Sequence, residues 1–162
     1  MKRVYSVWVE NRSGVLSKVS GLFARRSYNI DSLTVGETQD KTVSSMTIVS
    51  SGTNHTLEQI EKQLNKKLDV IKVRTFGEEQ AILREVILVK VKYTSSQRKE
   101  LMEICEFLKA DIVDATTTHM IITLCDTPDH IEKLLSMLKK FNITEISRTG
   151  TLAMPKCSEG EA

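Results

Sequence analysis

The sequence predicts an α+β fold built as two tandem βαββαβ units, and three observations carry that prediction. Four segments place apolar residues at helical spacing, and the segments between them are short apolar or alternating runs of strand length. The order strand, helix, strand, strand, helix, strand is completed by residue 75 and then completed again by residue 149. Between the two sets lies a polar connector, Gly77-Glu78-Glu79-Gln80.

In the first unit, residues 4–9 read as a buried strand. A short polar loop ends at Gly14, and Val15, Leu16, Val19, Leu22 and Phe23 then recur on one face of a helix over residues 15–26. Residues 28–37 and 42–50 are strand-like, and Thr38-Gln39-Asp40-Lys41 between them suits a hairpin turn. Thr56-Leu57-Glu58-Gln59 has capping-box spacing and introduces a helix bearing Leu57, Ile60, Leu64 and Leu68. Residues 70–75 form the closing strand.

The second unit opens on a strong strand within residues 84–93, centred on Val86-Ile87-Leu88-Val89. Ser95 or Ser96 is placed to cap a helix carrying Leu101, Ile104, Cys105 and Leu108. Residues 111–115 and 117–124 are two short strands. Thr127-Pro128 is a cap followed by proline at the first helical position, and Ile131, Leu134, Leu135 and Leu138 form the apolar stripe. Residues 143–149 close the set, and the polar residues after Pro155 are expected to be disordered. The expectation is therefore two ferredoxin-like sandwiches, each an antiparallel sheet with both helices on one face, over residues 1–77 and 78–155, with a tail over 156–162. The bare faces or edge strands then need cover, which pairing between sheets within or between chains would supply.

Composition narrows the function. The chain of 162 residues is 40% hydrophobic and 27% charged, values of a globular protein able to form a core. Its 23 basic and 21 acidic residues are interspersed and leave a net charge of +2, which gives no electrostatic footprint for nucleic acid. No apolar run approaches membrane-spanning length, and the amino terminus lacks the apolar stretch of a signal peptide. Cys105, Cys125 and Cys157 are an odd, widely spaced set that fits a reducing cytoplasm rather than a disulfide framework.

The loop and helix from Glu10 to Gly36 have the chemistry to hold a small zwitterion. The first N–H groups of a helix lack internal partners and carry partial positive charge, which suits a carboxylate. Gly14 allows a sharp turn and close approach to a ligand. Asn11 after the first strand and Asn29 at the start of the second each offer a donor and an acceptor, and are expected near one spot. Val15, Leu16 and Ile30 are expected to enclose a small apolar side chain. Ordinary turn chemistry uses the same residue types, so spacing alone leaves both uses open.

Other constellations point away from catalysis. His55, His119 and His130 are scattered, and no Cys/His pair has zinc-ligand spacing. Cys105 lies on an apolar helical stripe and reads as core. Asp111 and Asp114 bracket an apolar pair in the manner of solvated edge-strand residues. Lys62, Lys66 and Lys67 read as a solvated helix face. Neither a P-loop nor a Gly-x-Gly-x-x-Gly fingerprint occurs.

The opening strand, Glu10-Asn11-x-x-Gly14-Val15-Leu16, the helix behind it and Tyr28-Asn29-Ile30-Asp31-Ser32-Leu33-Thr34-Val35 resemble an ACT domain. More narrowly, the chain resembles the small regulatory subunits of acetolactate (acetohydroxyacid) synthase. Ser45-Met46-Thr47-Ile48, the stretch from Leu57 to Lys66, Asp69-Val70-Ile71-Lys72-Val73 and the stretch from Arg84 to Val91 extend the likeness closely to about residue 95, and Ser147-Arg148-Thr149-Gly150 fits beyond it. The resemblance implies feedback inhibition by a branched-chain amino acid, most often valine, bound between ACT domains of two protomers by residues matching Asn11, Gly14 and Asn29. It also implies activation of a separate catalytic large subunit that carries thiamine diphosphate, magnesium and FAD, with no cofactor or metal in this chain, no nucleic acid and no membrane. The second domain is implied to touch that catalytic subunit. Two positions depart from the pattern: Ser45 stands where the family usually has arginine, and Ser27 where it usually has glycine. Either a positive backbone angle is not needed at residue 27, or serine tolerates it there. A free-standing ACT-type sensor acting on another enzyme or a transcription factor is the second reading, and a small enzyme in its own right the third.

Overall fold

The structure is a computed structural model and describes residues 1–77 and 80–157. It divides into two compact units, Met1–Ile82 joined by residues from Thr151 onward, and Leu83–Gly150. The division falls between Ile82 and Leu83, and the last described strand groups with the first unit. Of the expected disordered tail, residues 158–162 lie outside the described residues.

In the first unit the strands are β1 (Lys2–Glu10), β2 (Ser32–Glu37), β3 (Val43–Ser51) and β4 (Val70–Phe76), with helices α1 (Val15–Arg25) and α2 (Asn54–Asn65). The sheet order is β2-β3-β1-β4, which makes β2 and β4 the edges. β3 runs antiparallel to both β1 and β2, so β1 and β2 are parallel to each other. Alternation along β1 sends Tyr5, Val7 and Val9 to one face, where they meet Val19, Leu22 and Phe23 of α1 and Leu57, Ile60 and Leu64 of α2. Both helices therefore cover the same face, as expected. Each fully buried aliphatic side chain contributes about 1.5–3 kcal/mol.

Three local expectations are corrected here. The cap of α2 is Thr53, whose hydroxyl accepts from the Thr56 N–H, so the helix is capped three residues before Thr56. Leu68 lies beyond the end of α2 and is fully exposed. Residues 28–31 form a turn and loop, and β2 starts only at Ser32. The loop has a definite cause. Ser27 stands in the left-handed region at φ +54°, the Ser27 N–H donates to Ala24 C=O at 3.2 Å, and the Tyr28 N–H to Phe23 C=O at 2.9 Å. These two bonds make a Schellman motif, sealed by an edge-to-face contact of Phe23 with Tyr28 whose ring centroids are 6.2 Å apart. Of the two alternatives for residue 27, the structure adopts the one in which serine tolerates the positive angle.

The second unit repeats the plan with β5 (Ala81–Lys92), α3 (Arg98–Leu108), β6 (Asp111–Ala115), β7 (His119–Asp126), α4 (Pro128–Leu138) and β8 (Asn142–Arg148), in sheet order β6-β7-β5-β8. Ile87, Val89 and Val91 of β5 pack with Leu101, Ile104, Cys105 and Leu108 of α3 and Ile131, Leu134 and Leu138 of α4. Thr127 caps α4 as expected, its hydroxyl accepting from the His130 N–H, with Pro128 at the first position. At α3 the cap position is Gln97 rather than Ser95 or Ser96, and no side chain caps its N–H groups. Burial raises the Cys105 thiol pKa, in keeping with a core role. Glu85 is 4% exposed and its carboxylate accepts from Arg148 Nε at 2.5 Å, while Arg148 also reaches Glu132 at 2.8 Å. A short strand unforeseen in the sequence, β9 (Leu152–Pro155), belongs with the first unit, where the Lys156 N–H donates to Gln80 C=O at 3.1 Å.

Candidate functional site

The β1–α1 turn is held by main-chain bonds: the Asn11 N–H donates to Thr42 C=O at 2.7 Å and the Arg12 N–H to Glu10 C=O at 2.9 Å. Gly14 sits at the cap position of α1 with φ +84° and ψ −8°. A Cβ built on Gly14 would meet nothing within 4 Å, so the turn requires glycine for its left-handed backbone and not for space. No side chain caps the helix. Its first-turn N–H groups, at Leu16 and Ser17, have no carbonyl one turn earlier in the helix and carry the positive end of its dipole.

Asn11 is exposed beside this helix end. Its Nδ2 donates to Lys41 C=O at 2.8 Å and to Glu37 Oε1 at 3.2 Å. Both partners only accept, so they fix which way the amide points and turn its Oδ1 away from them. They also tie Asn11 to the β2–β3 hairpin. That hairpin is closed by Thr38 N–H to Val43 C=O at 3.0 Å and by Asp40, whose carboxyl is held below its usual range by bonds from Thr42. Lys18 Nζ bonds Asp69 Oδ2 at 2.8 Å across to the segment before β4, and this bond lowers the Asp69 pKa.

Asn29 is elsewhere. The Asp31 N–H donates to Val49 C=O at 2.8 Å, and Ser50 Oγ donates to Asn29 C=O at 2.5 Å. Val49 and Ser50 pair with Val4 and Arg3 at the start of β1, whereas Asn11 follows its end and bonds the residue before β3. Thr42 and Ser50 are eight strand residues apart, or roughly 25 Å. The expectation that Asn11 and Asn29 share one spot within a single chain is corrected. They lie at opposite ends of the sheet, because a crossover between parallel strands returns the chain to the end from which it started.

The apolar candidates also divide. Val15 is 3% exposed and belongs to the core with Val19 and Leu22, so it offers a ligand its backbone and not its side chain. Leu16 is 44% exposed beside Gly14. Ile30 is half-buried against the core at the Asn29 end. The structure adds four residues that the sequence reading missed. Glu37 and Lys41 hold the Asn11 amide, and Asp31 and Ser51 hold the Asn29 amide through Asn29 Nδ2 to Asp31 Oδ1 and Ser51 Oγ to Asp31 Oδ2. The Asn-x-Asp spacing of residues 29 and 31 was the one available signal.

The remaining titratable groups are dispersed. Asp111 and Asp114 are exposed on β6, an edge strand. His130 Nδ1 pairs with Asp126 at 2.8 Å, and His119 Nδ1 lies 2.9 Å from Thr118 Oγ1. Among the described residues, no three His, Cys, Asp or Glu side chains gather as metal ligands would. No helix among them is long and apolar enough to cross a membrane.

Comparison with known proteins identifies both units. Residues 5–72 match the family model described as an AHAS small subunit-like ACT domain, and residues 84–157 match that of the small subunit of acetolactate synthase. The acetolactate synthase small subunit of Haemophilus influenzae is 43% identical over 157 residues, 96% of each chain. That of Bacillus subtilis is 40% identical over 164 residues, covering 100% of this chain and 95% of the relative. The crystal structure of the acetolactate synthase small subunit from Thermotoga maritima superposes with a TM-score of 0.89 at 34% identity, covering 98% of this chain and 99% of that one. The chain belongs to the acetolactate synthase small-subunit family, a family of regulatory rather than catalytic subunits, with residues 5–72 as its ACT domain.

Proposed function

We propose that the chain binds valine, or another branched-chain amino acid, at a site shared by the ACT domains of two copies, and thereby sets the activity of the catalytic large subunit of acetolactate synthase. The observation that carries this reading is the placement of Asn11 and Gly14 at one end of the sheet and Asn29 at the other, with β2 as an edge strand. If two β2 edges pair antiparallel about a two-fold axis, the Ser32 end of one lies beside the Glu37 end of its partner. Asn29 of one copy then approaches the uncapped α1 terminus of the other. Carboxylate on the helix N–H groups, ammonium on asparagine oxygens and an apolar side chain against Leu16 and Ile30 account for every part of the effector.

Such an interface is suited to regulation. An effector shifts an equilibrium only by its different affinity for two states, and a ligand clasped between copies senses how they are registered. Catalysis, with thiamine diphosphate, magnesium and FAD, resides in this proposal in the large subunit, which residues 78–155 would contact, with residues 1–77 holding the effector. Three free cysteines fit a reducing cytoplasm as the place of action.

Calorimetry of the full chain with L-valine tests the site. Asn29→Ala is expected to weaken binding by about 1–3 kcal/mol, the cost of leaving buried polar groups unpaired. Unchanged affinity would sink the assignment.

A further inference from the structure

Asn29 could present either end of its amide to a ligand, and the structure decides between them through a neighbour. The Asp31 carboxylate accepts from Asn29 Nδ2 with one oxygen and from Ser51 Oγ with the other. An ionised carboxylate has no proton to give, so the amide end that faces it must be the NH₂. Ser50 Oγ meanwhile donates to Asn29 C=O at 2.5 Å and fixes the backbone on which the amide is carried. Asn29 is thus held at main chain and side chain, with its acceptor Oδ1 at the end turned from Asp31. Asn11 is set the same way round by Glu37 and Lys41.

We infer that Asp31, itself anchored by Ser51, is a positioning residue that orients the Asn29 amide to accept from the ammonium of the effector, an inference that rests on the effector reading above. Left free, the amide would rotate between two ends of similar size, only one of which matches an ammonium, and ordering it would cost affinity on each binding event. Two asparagine oxygens supply acceptors and the α1 terminus supplies donors. The polarity of the site thereby selects α-amino acids over amines lacking the carboxylate and over acids lacking the ammonium.

The test is calorimetry with L-valine on the full chain carrying Asn29→Ala, Asp31→Ala, Asp31→Asn, Ser51→Ala and the double change Asn29→Ala with Asp31→Ala. Asp31→Ala is expected to raise Kd on the order of tenfold, and Ser51→Ala by about threefold. Asp31→Asn keeps a partner for Ser51 but offers Asn29 a donor as well as an acceptor, so it no longer fixes which end of the amide faces it, and Kd is expected to rise by about threefold. Asp31→Ala added to Asn29→Ala should change nothing further, since no amide remains to orient. Parent-like binding by Asp31→Ala and Ser51→Ala, or an equal Asp31→Ala loss with and without Asn29, would overturn the positioning role while leaving Asn29 in the site. Parent-like binding by Asn29→Ala would overturn the site itself. If Asp31→Ala fails to fold, Ser51→Ala in the two backgrounds decides by the same comparison.

Discussion

Asn11 and Asn29 lie at opposite ends of one four-stranded sheet, one bonded to the hairpin that precedes β3 and the other to the last residues of β3. Roughly 25 Å of strand separates them. An amino acid spans only a few ångström, so an effector that contacts both, as proposed, takes them from two chains. Antiparallel pairing of two β2 edges removes the distance, because it sets each end of the edge beside the opposite end of its copy. In the proposed site, strand direction is therefore what calls for a second chain.

Ser27 holds a left-handed angle in the Schellman turn after α1, where a side chain costs roughly 1 kcal/mol. Ser27→Gly should raise stability by at most about 0.5 kcal/mol, glycine's greater freedom in the unfolded chain offsetting most of the relief. Urea unfolding with an unchanged m-value is the expected signature, and a lower midpoint would show that the serine hydroxyl has a partner role worth more than the strain.

Glu85 is buried and depends on Arg148 for its charge partner. Arg148→Met is expected to cost about 3–5 kcal/mol, the penalty of an abandoned buried carboxylate. Adding Glu85→Gln should return a substantial part of it, because the neutral amide is cheaper to leave without its cation. A double variant no more stable than Arg148→Met would place the loss in packing rather than in charge. The unfolding midpoints of the three variants decide the matter.

Tyr5 is fully buried and its hydroxyl donates to Leu57 C=O at 2.7 Å. Burial pushes the phenol up to about 12, with Arg3 opposing and Glu61 adding to the shift. Since the folded value lies above the unfolded value near 10, the stabilisation is fully present below pH 10 and is lost as pH rises through 12. Tyr5→Phe should be about 1 kcal/mol less stable at pH 8 and show a shallower decline between pH 10 and 12. Parallel stability curves over that range would contradict the assignment.

Much of this architecture was legible in the sequence, for reasons that individual residues make plain. Val15, Val19, Leu22 and Phe23 recur at helical spacing because one helix face meets one sheet, and Thr127-Pro128 states a helix start in local chemistry alone. At α2 the capping pattern favours Thr56, because Gln59 stands three residues after it, whereas the residue three after Thr53 is a threonine. The backbone nonetheless turns helical directly after Thr53, whose hydroxyl caps without the reciprocal partner. Leu68 matched the apolar period of α2, yet the chain had already left the helix. β9 is four residues long and ends in proline, too short for a period to register. The candidate residues Asn11, Gly14 and Asn29 could be picked out by type. Their separation could not be read from spacing, since it depends on β1 and β2 running parallel with β3 between them.

The most direct test of a site shared between copies is to mix two defective chains. Asn11→Ala and Asn29→Ala homodimers each lack one half of every site. A mixed dimer joins the two altered halves in one site and the two intact halves in the other. After unfolding and refolding an equal mixture, titration with L-valine should recover parent-like affinity at about a quarter of all sites, since about half the dimers are mixed and each has one whole site. If the mixture binds no better than either variant alone, the halves belong to the same chain and the account is wrong.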